Sequence, residues 1–146
     1  MAKYKFRLET LEKLRVARRD QQRVALAEAF RAEQVLEARR AEIRNEQQTI
    51  RAMQRSASAE PYLNLNRLLD AQRYELVLKA REIELTNLSA MLSTEIERRR
   101  LALVEADREV RVLELLDERG RRAHRKELAR LETRELDEIA LQHYGR

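Results

Sequence analysis

Few residues in this chain have the types and spacing that reaction chemistry requires. The histidines are His124 and His143, far apart in sequence, and there is no cysteine. Neither histidine belongs to an HExxH or Cys/His set, so no metal ligands are expected. Ser56, Ser58, Ser89 and Ser93 have no nearby histidine to act as base. Gly120 and Gly145 are isolated, so no glycine loop can cradle a phosphate, and no cofactor is expected. The 26 carboxylates could act as general acids or bases only inside a pocket; on a helical surface they are solvated charge. The expected catalytic set is therefore empty, and the chain reads as a non-enzyme. What remains is binding chemistry, concentrated in three stretches.

The first is KYKFRLETLEKLRVARR, residues 3 to 19. Residues 1–19 hold seven Lys/Arg against two Glu, and the remainder is balanced, so this stretch carries the whole net charge of +5. It fits a solvated helix face, a phosphate or anionic-lipid contact, or a protein contact. Leu8, Leu11 and Leu14 interleave with the charges, which suits protein better than phosphate. A membrane surface is disfavoured by the modest apolar face and the lack of Trp. The second stretch runs from Pro61 to Leu78 and is rich in Leu and Tyr; it is either core or a partner surface. The third, Arg119 to Arg146, has an apolar stripe of Leu128, Leu131, Leu136, Ile139 and Leu141 among charges. It either extends a helix pair to a frayed end or needs a partner.

The elements that position these stretches follow from composition. Charged residues are 39%, aromatics 4%, with two Gly and one Pro; average usage would supply roughly ten Gly and seven Pro in this length. Such a chain makes long helices with almost no turns. Pro61 marks the single break. A first helix is expected at about 6–57, a turn and tip at 58–64, and a second helix at 65–143, with Asn64 or Asn66 as cap. A seven-residue repeat runs along each. In the first helix it is Leu8, Leu11, Arg15, Arg18, Gln22, Ala25, Ala29, Ala32, Leu36, Arg39, Ile43, Glu46, Ile50, Met53 and Ala57. In the second it is Leu85, Ser89, Leu92, Ile96, Arg99, Leu103, Ala106, Val110 and Leu113.

These seams predict an all-α fold: two long helices in one antiparallel coiled-coil hairpin spanning 1–146. At 1.5 Å per residue the helices would measure roughly 80 and 120 Å. Phe6 should then lie near residue 114, leaving a C-terminal overhang of about 25 to 30 residues with no partner in the same chain. The seam loses its apolar character after Leu113, close to Gly120. That glycine is either a tolerated residue in a register stutter or a soft joint where the arm begins. No stretch approaches the ~20 apolar residues of a membrane span, and no apolar core follows the N-terminal charges as in a secretory signal. A cytoplasmic location is expected.

The opening FRLETLEKLR and the closing ELDEIALQHY, on a cysteine-free, highly charged chain with one central turn, resemble the FliJ family of flagellar type III export proteins, related to YscO-type stalks. The resemblance implies a coiled coil similar to the paired helices of the rotary ATPase γ subunit. It implies a noncatalytic coupling stalk whose terminal end enters a hexameric, FliI-like export ATPase. Its hairpin tip would meet the export gate protein FlhA, and export chaperones would also bind. At the ATPase end it points to Phe6, Leu8, Leu11, Arg15, Arg18 and Arg19 with Arg122, Arg125, Arg130, Leu131 and Arg134. At the tip it points to Tyr62, Leu69, Tyr74 and Leu78. The late first-helix aromatics of some members are replaced here by Ile50 and Met53. Membrane association would be indirect, at the cytoplasmic face of the inner membrane at the flagellar base, and no nucleic acid is expected. Two other readings stand beside it: a homodimeric coiled-coil scaffold, and a basic arm that binds nucleic acid or a membrane surface.

Overall fold

A computed structural model describes residues 3–145. Two long helices account for nearly all of it: α1, Glu9–Ala59, and α2, Leu65–Tyr144. They pack against each other as an all-α helical hairpin, and no strand occurs among the described residues. Glu9 and Glu12 sit in the first turn of α1, where carboxylates complement the helix dipole. Pro61 follows its end at Ala59. Asn64 caps α2 as expected: the Arg67 amide donates to its Oδ1 at 3.4 Å and the Leu68 amide to its carbonyl at 3.2 Å. Contacts gather into two compact units, one of residues 23–101 and one of the described residues of 1–22 with 102–145.

In the 23–101 unit, Ile43, Ile50 and Leu78 form the core, with Ala71 and Leu85 packed against it. Polar side chains complete the seam. The Gln47 amide donates to Glu82 at 3.0 Å and the Gln54 amide to Glu75 at 3.3 Å. Arg99 reaches across to the Ala25 carbonyl while its Nε holds Glu95 at 2.8 Å. The expected seam of α2 is borne out at every position from Leu85 to Leu113, each buried or half-buried. In α1 only alternate positions hold. Arg18, Arg39, Glu46 and Met53 are exposed, and the facing places belong to Arg19, Arg40, Gln47 and Gln54, one residue later; Ala32 is exposed too, while Ala25 and Leu26 are both half-buried. Counting apolar residues misplaces this half-seam because long polar side chains reach partners across the interface.

Glu95 is the strongest local charge pair. Its carboxylate accepts from Arg98 at 2.7 and 2.9 Å as well as from Arg99. Those bonds, Arg98 first, hold its pKa down to about 2 against an ordinary 4.5. The contribution is therefore complete above about pH 4.5 and is lost as pH falls towards 2. A Glu95→Gln variant is expected to melt slightly lower at neutral pH and to converge with the parent chain as pH falls towards 2, flattening that part of the acid-unfolding profile read by circular dichroism.

In the other unit, Ala106, Val110 and Leu113 are buried. Arg15 donates to Glu109 at 2.9 Å, and Arg19 approaches Asp107 at 3.9 Å. Asp107 thus faces Arg19, and Arg111 lies 3.3 and 3.8 Å from Glu114 and Glu118. The first helix begins at Glu9, not near Phe6; residues 3–6 are non-helical and lie along α2. An extended residue advances ~3.3 Å and a helical one 1.5 Å, so each residue of this segment covers about two of α2. Tyr4 consequently reaches Asp117, Gly120 and His124, well past residue 114. The overhang is correspondingly shorter: Leu128 is half-buried, and every described residue from Ala129 on is exposed.

Candidate partner-binding surfaces

The terminal unit is closed by one tyrosine. The Tyr4 hydroxyl donates to the Asp117 carbonyl at 3.2 Å, its ring meets the His124 ring at 5.7 Å between centroids, and the Arg121 guanidinium lies 6.0 Å from it. Desolvation and the neighbouring Asp117 raise its pKa above the ordinary phenol value. Arg121 is held by Asp117 Oδ2 at 3.0 Å. Helix α2 runs unbroken through Gly120 with no positive φ, so Gly120 is not a joint in the backbone. It is a notch: a Cβ there would run into the Tyr4 hydroxyl. Gly120→Ala is expected to displace residues 3–8 while adding about 1 kcal/mol of intrinsic helix stability to α2. Loss of the Tyr4–His124 nuclear Overhauser effect with little fall in melting temperature would show this.

Around that closure the expected terminal-end residues divide. Phe6 is half-buried, and Leu8 and Leu11 are each a little over one-third exposed. Arg15 and Arg19 are engaged with α2. Arg18 is mostly exposed, 3.8 Å from Glu109. Arg130 is exposed near Glu127 at 3.9 Å, and Leu131 is exposed beside it. Arg122, Arg125 and Arg134 are exposed and make no ion pair among the described residues. The run RGRRAHRK, residues 119–126, contains five Lys/Arg and no acid. Totals over long segments hide it, because residues 61–146 as a whole hold 17 basic and 17 acidic residues.

The tip belongs to the 23–101 unit. Tyr62 is 88% exposed, and Leu63, Leu65, Leu69, Leu76 and Val77 also face solvent. Tyr74 is partly exposed and donates to Glu46 Oε2 at 2.7 Å, a bond that raises its pKa. Leu78 is different: it is fully buried at 0% exposure, so it has no surface to offer a partner. Ile43 and Ile50 close over it. A groove lined by Ile50, Met53, Ala71 and Tyr74 runs beside Asp70 and Arg67 on this face. Met53 is half-exposed on it.

No cluster of three or more candidate metal ligands occurs among the described residues. Among them also, no helix is long and apolar enough to cross a membrane. No curated protein and no solved structure matches the chain significantly. The family profile described as "Flagellar FliJ protein" matches residues 4–146, beginning at the tyrosine that closes the terminal unit. With a helical hairpin as its fold and that match over almost its full length, the chain belongs to the FliJ family and has a role related to flagellar export.

Proposed function

We propose that this chain is a noncatalytic coupling stalk of the flagellar export apparatus, acting as one coiled-coil domain. Its terminal unit enters a hexameric, FliI-like export ATPase and promotes ring assembly and activity. The tip surface of Tyr62, Leu69 and Tyr74 meets FlhA, and export chaperones bind as well. The protein works in the cytoplasm, peripheral to the inner membrane at the flagellar base. The observation that carries the reading is the helical arm after Leu128: Leu131, Leu136, Ile139 and Leu141 are exposed on it, and Arg122, Arg125 and Arg134, which make no ion pair among the described residues, flank its root. An apolar face with charged flanks is suited to a cavity in another protein.

The test is ATP hydrolysis by the cognate export ATPase with and without the full chain, alongside light scattering for ring assembly. Stimulation together with a larger assembly is the expected result; neither effect at excess chain would overturn the reading. The same exposed arm also favours a second reading, a homodimer joined through residues 119–146. A stable dimer in the absence of ATPase, lost on deleting that segment, would support it.

A further inference from the structure

The seam of the 23–101 unit holds two polar rungs at places where apolar side chains would pack more simply. Gln47 is buried and donates to Glu82 at 3.0 Å. One heptad further along α1, half-buried Gln54 donates to Glu75 at 3.3 Å. Seven residues forward on one helix match seven back on the other, so the same rung recurs in a single antiparallel register. The apolar residues Ile43, Ile50, Leu78, Ala71 and Leu85 make the layers around them. Arg51 flanks the second rung, 3.9 Å from Glu75.

Such rungs add little to stability. Replacing both buried partners by apolar residues of like volume is often neutral or stabilising, whereas parting them leaves a buried group unsatisfied. What they change is the cost of a wrong alignment. Helices that slide past each other by half a heptad, three or four residues, present the same faces again. Such a slip in one direction or the other sets Gln47 on Leu78 or Leu85 and Gln54 on Ala71 or Leu78. It also sets the two carboxylates against Ile43, Ile50 or Ala57, with no donor to meet them. The turn and the terminal ion pairs tolerate the same slip. Residues 60–64 join the helices, and five extended residues span about 16 Å, against about 5 Å for the slide. Glu109 lies 2.9 Å from Arg15 and also 3.8 Å from Arg18, so that pair can re-form three residues along.

We infer that the Gln47–Glu82 and Gln54–Glu75 rungs select the alignment of α1 on α2, by penalising slipped pairings and not by adding stability. They act as two marks one heptad apart, and only one alignment satisfies both. A slip of a whole heptad keeps one Gln–Glu pair and parts the other: it sets Gln54 on Leu68 in one direction and takes Glu75 past the end of α1 at Ala59 in the other. The inference concerns the hairpin itself and does not depend on the ATPase reading.

The test moves the marks in the full chain. Glu75→Leu/Leu78→Glu/Glu82→Leu/Leu85→Glu keeps the composition of α2 and shifts its glutamates by half a heptad. Both glutamines then regain a carboxylate, at positions 78 and 85, only if the helices slide by three residues. Spin labels on Glu33→Cys and Gln72→Cys, exposed sites in a chain without cysteine, report the slide by double electron–electron resonance. Excess unlabelled chain keeps the measured distances intramolecular. The parent chain should give one distance, and the shifted variant one about 5 Å longer. Gln47→Leu/Gln54→Leu/Glu75→Leu/Glu82→Leu removes the marks; it should melt no lower than the parent yet give two or more distances. Alanine at the same four positions makes that measurement if the leucine chain aggregates, and it decides alone if the shifted variant does not fold. The parent distance retained in the shifted variant, or one unchanged distance once the marks are removed, would overturn the inference.

Discussion

Replacing Leu78 with alanine is expected to lower the stability of the chain by about 3 kcal/mol, within the 2–5 range for deleting a buried leucine side chain. The reason is the thinness of the interior. Leu78 is fully buried among Ile43, Ile50, Ala71 and Leu85, and buried hydrophobic residues elsewhere are single side chains strung along a seam. A layer one side chain deep cannot close over the lost methyls, so the cavity term stays large. Total stabilities are about 5–15 kcal/mol, making this a large fraction. Urea unfolding monitored by circular dichroism should show the lower midpoint. By contrast, Leu76→Ala, two residues earlier and exposed, should shift it by less than about 0.5 kcal/mol. Equal effects would mean that the two helices do not pack in this register.

Arg18→Glu/Arg125→Glu/Arg134→Glu is expected to remove most stimulation of the export ATPase, by about tenfold or more, with helicity and melting nearly intact. Arg125 and Arg134 make no ion pair within the chain among the described residues, and Arg18 sits 3.8 Å from Glu109 at the rim of its pair. Reversing them therefore costs the fold little. If these cations meet a charged partner surface, three reversals add repulsion to lost attraction. Arg15→Glu should behave differently: it places a carboxylate against Glu109, now 2.9 Å from the guanidinium, and should lower stability itself. A fall in melting temperature for Arg15→Glu without one for the triple variant separates structural from partner-facing cations.

Much of the architecture was legible because the chain has so few ways to turn. Pro61 and Asn64 fix the one break, and the seam from Leu85 to Leu113 reads directly as a heptad. The other half-seam of α1 was not legible, because Gln47 and Gln54 qualify for it by reaching Glu82 and Glu75, not by being apolar. Leu78 looked like a tip residue because sequence distance from the turn says nothing about which side of the helix is covered. Tyr4 was missed for a deeper reason. Its bond to Asp117 joins residues 113 apart, and its reach depends on an extended segment that local pattern does not specify. The basic run of residues 119–126 was hidden by counting charge over segments as long as 61–146, where 17 basic and 17 acidic residues cancel.

The change of backbone geometry before Glu9 also fixes where the free arm is rooted. While Tyr4 sits in the Gly120 notch, α2 is held from its far side as far as His124. Undocking residues 3–8 would leave α1 beginning at Glu9 as the last support, and the unsupported helix would lengthen by about nine residues, or roughly 13 Å. The length of arm that projects is thus tied to the seating of a single phenol ring.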